Sequence, residues 1–381
     1  MMNEQIFTNA KIVMANEVVE GTLTLRDDKI YDISHGNSDL PVAINMGGDL
    51  LLPGLVELHT DNLEKHMTPR PKTEWPSLAA IIAHDNQIAS AGITTVFDAI
   101  SIGDVKDGSA RIRRLQEMVD GLAHTKKENL LRSDHLIHLR CEVSYPAMAT
   151  TLDQLSNNEL VRMFSVMDHT PGQRQFVSLE AYYIYYQGKY GLTDDEMEGF
   201  ITQRRNDQEQ FSAKNRKHVV ETAHRKHMAL ASHDDATKAH VDEAVQDKMT
   251  VAEFPTTVEA AKESHESGLA VMMGGPNMVR GGSHSGNVSA GDLANQGYLD
   301  IISSDYVPHS LLHAAMKLYE EFDGYDLPKA IRCVTKTPAD SVGLTDRGEI
   351  SIGKRADLIH VHHSRHHPVI RGVWREGNRV S

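Results

Sequence analysis

The sequence predicts a (β/α)8 barrel, in the α/β class, with a small β-sandwich domain built from the N- and C-terminal segments. Three observations predict it. From Pro53 to Leu344, apolar β-rich runs alternate with long polar helical stretches, which is the pattern of parallel βα units closing on themselves. The two chain ends instead read as short strands with turn residues between them. No G-x-G-x-x-G follows the first apolar strand of the middle region, which argues against a doubly wound open sheet. The expected boundaries are residues 1–52 and 345–381 for the small domain and 53–344 for the barrel.

Element by element, the N-terminal strands are expected at Ile6–Val13, Val18–Leu25 and Lys29–Ile33, broken by Gly36-Asn37-Ser38 and Pro41. The barrel strands are expected at Gly54–His59, Ile93–Asp98, Leu136–Val143, Val161–Met167, Met228–Ser232, Thr250–Phe254, Leu269–Met273 and Asp300–Ser304. Helices are expected between them at Ser77–Ser90, Ser109–Lys126, Asp194–His227, Lys238–Gln246, Thr257–Ser267 and Leu311–Glu320. Strands resume at Gly348–Ile352, Asp357–His362 and Val369–Arg375.

Composition narrows the function classes. With 381 residues, 40% hydrophobic and 24% charged, the chain has the makeup of a globular enzyme with room for a large core. The net charge, 39 − 53 = −14, argues against nucleic acid as a partner. Cys141 and Cys333 are too few for a disulfide framework, so a cytoplasmic setting is expected. The first residues lack a signal pattern and no apolar run is long enough to cross a membrane. A homodimer is the expected assembly.

Chemistry enters at Leu55–His66, LVELHTDNLEKH. Side chains alternate along a strand, so His59 and Asp61 face one way. An imidazole and a carboxylate at that spacing suit a divalent cation. In a barrel, chemistry gathers at the carboxyl ends of the strands. Glu142, His169, His233 and Asp305 stand at later predicted strand ends. Each also has a structural reading. His169 fits a turn cap before Pro171, His233 the approach to a helix from Thr237, Asp305 a cap before Pro308, and Glu142 a solvated charge with Glu180 or Glu253 as competitors. Six ligand-type residues at successive strand ends predict two divalent ions, zinc first, with manganese, iron or nickel also suited. The neighbours Asp168 and Asp234 rank below His169 and His233, because they alternate to the other side.

The opening LLPGLVE and the closing TPADSVGL with RGEISIGKRADLIHV resemble the amidohydrolase superfamily. The motifs ELHTDNLEKH, TPRPKTEWP, SHDDAT, AEFPTT, MGGPNMVRGGSHSGNVSA and SSDYVP resemble, nearly end to end, the superfamily's branch of diphosphatases that work in phosphonate breakdown by C–P lyase. That resemblance implies hydrolysis of α-D-ribose 1-methylphosphonate 5-triphosphate to the 5-phosphate and pyrophosphate. Two departures from the wider superfamily stand out. Most members carry H-x-H where this chain has His59-Thr60-Asp61, and many bridge their metals with a carboxylated lysine where it has Glu142. Glu142 is therefore the expected bridge.

Hydrolysing a triphosphate is a matter of positioning and charge neutralisation. Asp305 is expected to orient the water and take its proton. Lys65, His66, Arg70, Lys72, Arg174, Arg280 and His284 are the expected substrate contacts, with His66 or His284 near the leaving pyrophosphate. The glycine-rich run Gly274–Gly286 reads as a phosphate-approaching loop or a plain flexible one. Tyr182–Tyr190 reads as a lid or a packing helix. The competing activity is that of an amidohydrolase in the literal sense, acting on a cyclic amide or an N-acyl amino acid. A non-enzymatic metal-binding barrel is a third reading.

Overall fold

A computed structural model describes residues 4–70, 73–104, 108–174, 179–283, 286–364 and 367–381. The N-terminal strands are β1 (Glu4–Val13), β2 (Val18–Arg26), β3 (Lys29–His35), β4 (Ile44–Asn45) and β5 (Leu50–Pro53). The barrel strands follow as β6 (Leu55–Thr60), β7 (Ile93–Ile102), β8 (Asp134–Glu142), β9 (Val161–Met167), β10 (Ala229–His233), β11 (Val251–Glu253), β12 (Ala270–Gly274) and β13 (Ile301–Ser303). The chain ends with β14 (Leu358–His363), β15 (Pro368–Arg375) and β16 (Asn378–Arg379).

Strands β6 to β13 form one sheet in sequence order. The described pairings within it are parallel, and a parallel bridge from Thr60 to Asp305 links its two ends. Such strands are covered on both faces, so they read as unbroken apolar runs; all ten residues of β7 are buried. Glu57 braces the closure. Its carboxylate accepts from the His59 and Ser304 N–H groups and from the Ser303 hydroxyl.

The second sheet has the order β16-β15-β14-β5-β1-β2-β3, with β4 on β1. Its core holds Phe7, Leu23, Leu51, Leu358 and Trp374, with Phe7 edge-on to Trp374 at 5.0 Å. Only Gly54 separates this sheet from the first barrel strand. A Cβ there would lie 2.2 Å from Thr94 Oγ1, so glycine is what lets the chain cross over without a loop.

The chain divides into two compact units, residues 1–98, 124–136 and 273–381, and residues 99–123 and 137–272. Helices follow the expected spacing, and several start on side-chain caps. Thr193 and Glu196 form a capping box on the helix Asp194–Lys226, and Thr237, Thr257 and Ser289 cap later ones.

Three expectations need adjusting. Gly348–Ile352 is not a strand: the segment runs through turns, with Gly348 and Gly353 both at φ +86° and the Gly353 N–H bonded to Ile30 O. The glycine-rich run is not all loop, since Gly275–Arg280 forms a helix with Pro276 in its first turn. Leu179–Tyr190 is a helix whose Tyr182 and Tyr186 are buried against Met197 and Ile201, which makes it a packing element. No helix among the described residues is long and apolar enough to cross a membrane.

Candidate active site and metal ligands

In the first unit, β6 delivers His59 and Asp61. His59 is buried, and Asp61 Oδ1 is buried with no hydrogen-bond partner among the described residues. A carboxylate oxygen in that condition fits a cation, because burying it unpaired is otherwise costly. Asp305 follows β13 in the left-handed region, at φ +53°, and its carbonyl accepts from Thr60 Oγ1 at 2.7 Å. Burial pushes the Glu57 carboxyl up to about 7, against the hydrogen bonds from His59, Ser303 and Ser304. Lys65 and Arg70 are exposed and His66 is half-buried. Lys65 Nζ donates to Tyr306 O. Arg280 is exposed at the end of its helix.

In the second unit the strand ends carry a paired design. His169 Nδ1 bonds Glu142 Oε2 at 2.6 Å, and His233 Nδ1 bonds Glu253 Oε2 at 2.9 Å. Each ring is thus oriented through its Nδ1. Both Nε2 atoms turn toward Asp234 Oδ2, at 3.9 and 3.5 Å. One atom each from His169, His233 and Asp234 falls within 4.8 Å of the others, close enough to hold one ion. An imidazole whose second nitrogen is fixed by a carboxylate is the arrangement a metal ligand needs. Burial pushes the Asp234 carboxyl up to about 7 despite His169 and Arg140. For His169, burial lowers the pKa but the Glu142 charge outweighs it.

This geometry bears on three expectations. Glu142 spends both oxygens, Oε1 on the Ser144 hydroxyl and the His169 N–H and Oε2 on His169 Nδ1. It orients an imidazole rather than standing free as a bridge. Asp234, ranked below its neighbours, turns to the same point as the two imidazoles because the backbone leaves the strand at φ +56°. Arg174 is buried and ion-paired with Asp235 and Glu243, so its charge is taken up inside the protein rather than offered to phosphate. Lys72 and His284 lie outside the described residues. Glu180 is exposed on its helix, which removes it as a competitor to Glu142.

Several residues were missed. His138, Arg140 and Glu142 alternate along β8 and share a face. That period of two was readable in HLRCE and marks β8 as polar on one side. Arg140 Nε is buried without a hydrogen-bond partner among the described residues, and its charge acts on Asp234 and Glu253.

A further cluster lies in the first unit. Asp98 Oδ1 accepts from His84 Nε2 and Asp98 Oδ2 from His135 Nδ1, both at 2.7 Å. His135 Nε2 reaches Asp85 Oδ1 at 3.2 Å. Carboxylates only accept, so His135 donates from both nitrogens and is the imidazolium. Burial alone would depress its pKa, yet Asp98 and Asp85 hold it up to about 9. Burial raises Asp98, and His135 and His84 more than reverse this, to about 2. His84 is lowered, by burial first.

Comparison with known proteins agrees with this architecture. The family model described as "Amidohydrolase family" matches residues 86–381. The chain is 47% identical over 376 residues to the α-D-ribose 1-methylphosphonate 5-triphosphate diphosphatase of Escherichia coli (strain K12), covering 98% of this chain and all of the relative. Among solved structures it resembles a 5-methylcytosine deaminase from Klebsiella pneumoniae, with TM-score 0.66, 16% identity and 99% and 98% of the two chains covered. It also resembles an N-acetylglucosamine-6-phosphate deacetylase from Pasteurella multocida, with TM-score 0.63, 13% identity and 99% of each chain covered.

Proposed function

The chain belongs to the amidohydrolase family, and from that premise we propose that it hydrolyses α-D-ribose 1-methylphosphonate 5-triphosphate to the 5-phosphate and pyrophosphate in phosphonate breakdown. The observation that carries this reading is the 47% identity, along nearly the whole chain, to an enzyme of that name. The site chemistry supports it, with imidazoles and carboxylates at strand ends and the Arg140 charge acting on Asp234.

His59, Asp61 and Asp305 at the ends of β6 and β13, and His169 and His233 at the ends of β9 and β10, would hold two divalent ions, zinc by preference. Asp234 joins them, and Glu142 and Glu253 fix the imidazoles. Such ions, when bound, lower the pKa of water and neutralise charge on a phosphoryl oxygen. The chain's own groups do the rest. Asp305 orients the attacking water and accepts its proton. Arg140, Arg280 and Arg70 neutralise the triphosphate, and guanidinium groups suit this because their fork is always charged, while Lys65 adds a further positive charge to the substrate site. Arg140 takes the place first given to Arg174. His66 contributes a hydrogen-bonding nitrogen to the substrate.

The deciding assay compares pyrophosphate release from the 5-triphosphate with hydrolysis of dihydroorotate and N-acyl amino acids. The proposal expects turnover of the triphosphate alone. Turnover of an amide without pyrophosphate release would establish the competing activity. No turnover of either by metal-replete protein would favour the non-enzymatic barrel.

A further inference from the structure

In the first unit lies a cavity of about 670 Å³, within the range of small-molecule sites. Its walls begin where the proposed ligands end: Asn62 follows Asp61, and Tyr306 follows Asp305. Its lining combines apolar groups, Trp75 and Val307 among them, with the polar side chains of Lys65, His66 and Gln87.

The polarity of the Gln87 end of this lining is fixed from within the core. Asp98 only accepts, so the hydrogen of neutral His84 sits on Nε2 and its Nδ1 is an acceptor. Asn62 must therefore turn its NH2 toward His84, at 3.0 Å, and the same Nδ2 donates to Gln87 Oε1 at 2.9 Å. His66 Nε2 donates to that same oxygen at 2.9 Å. With its oxygen held by two donors, Gln87 keeps its NH2 for the cavity, and Nε2 has no hydrogen-bond partner among the described residues. Lys65 spends one of its three N–H groups on Tyr306 O and retains two. The cavity lining thus offers hydrogen-bond donors and a positive charge together with an indole and aliphatic carbon.

A methylphosphonate ester has this dual character: a singly charged phosphorus centre with acceptor oxygens, and a methyl group that cannot hydrogen-bond. We infer that the cavity receives the methylphosphonate end of the substrate, with Gln87 Nε2 and Lys65 Nζ on its oxygens and Trp75 and Val307 against its methyl. This inference rests on the substrate reading above.

The test is steady-state pyrophosphate release from two substrates, α-D-ribose 1-methylphosphonate 5-triphosphate and D-ribose 5-triphosphate, which lacks the phosphonate. Gln87→Leu should raise KM for the methylphosphonate compound about tenfold, roughly the loss of one charge-assisted hydrogen bond. The rise should be at least about fivefold greater than for D-ribose 5-triphosphate. Trp75→Ala, at a half-exposed side chain that does not threaten folding, should shift the same ratio the same way. Equal KM changes for both substrates, or no change in either variant, would overturn the cavity assignment while leaving the diphosphatase reading intact. Absence of pyrophosphate from both substrates with the unmutated protein would overturn that reading and this inference with it.

Discussion

In the first unit, Asp98 takes one imidazole on each oxygen, and His135 gives both its nitrogens to carboxylates. In the second unit, His169 and His233 each give Nδ1 to a glutamate and place Nε2 beside Asp234 Oδ2. Both clusters bring two histidines and an aspartate within ligand distance of one another. In the first, the imidazoles and carboxylates are joined by direct hydrogen bonds, and Asn62 and the Arg132 and Ser133 N–H groups satisfy His84 and Asp85 further. In the second, the nearest Nε2–carboxylate separations are 3.5 and 3.9 Å, too long for good hydrogen bonds. Residue types alone do not distinguish a brace from a binding site. Whether the ring-to-carboxylate distances close into hydrogen bonds does.

The sharpest way to break this comparison is His233→Ala. Pyrophosphate release should fall by more than about 100-fold and metal content should drop, as for loss of a metal ligand; full metal retention measured by elemental analysis would move the site elsewhere. Next comes Asp98→Ala, which strands the His135 charge. Chemical denaturation should show a loss of about 3–5 kcal/mol, the cost of breaking a buried ion pair, with metal content unchanged. A variant that folds normally but loses metal would mean that the brace is itself a binding site. Glu142→Gln and Glu253→Gln should each weaken metal affinity by about 10–100-fold, since they remove the orienting charge and keep the ligand. No weakening would return Glu142 to a structural role.

A smaller effect is expected with pH. The folded pKa of His135, about 9, exceeds its ordinary 6.5. Its contribution is therefore complete below about 6.5 and lost as pH rises through about 9. His84, Asp85 and Asp98 face it, and Arg132 stands 3.8 Å from Asp85. Thermal unfolding midpoints should fall between those pH values, and His135→Gln should flatten the slope. An equal slope in that variant would assign the dependence to another group.

The barrel was legible because its strands are covered on both sides and several of its helices start on side-chain caps. The positions of His59, Asp61, His169, His233 and Asp305 at strand ends followed from the same periodicity. What escaped was set by backbone turns and by meetings between distant elements. Asp234 looked misdirected until the left-handed turn at the strand end re-aimed it. His84, Asp85, Asp98 and His135 come from a helix and two strands, so neither period of 3.6 nor period of 2 brings them together. Asp98 also looked like a strand end, whereas β7 continues to Ile102. Arg174 looked like a phosphate contact because its charge was visible in the sequence and its two buried partners were not.

Asp234 and Asp305 share a backbone condition, φ +56° and +53°. Aspartate and asparagine tolerate that region better than most side chains. Two demands, one from the peptide chain and one from the chemistry, thus converge on the same amino acid at each position. Asparagine keeps the turn and removes only the charge, so Asp→Asn is the clean probe of electrostatics here. Glutamate keeps the charge but gives up the short side chain that settles the turn. A redesign that seeks a longer carboxylate at either position must first rebuild the loop beneath it.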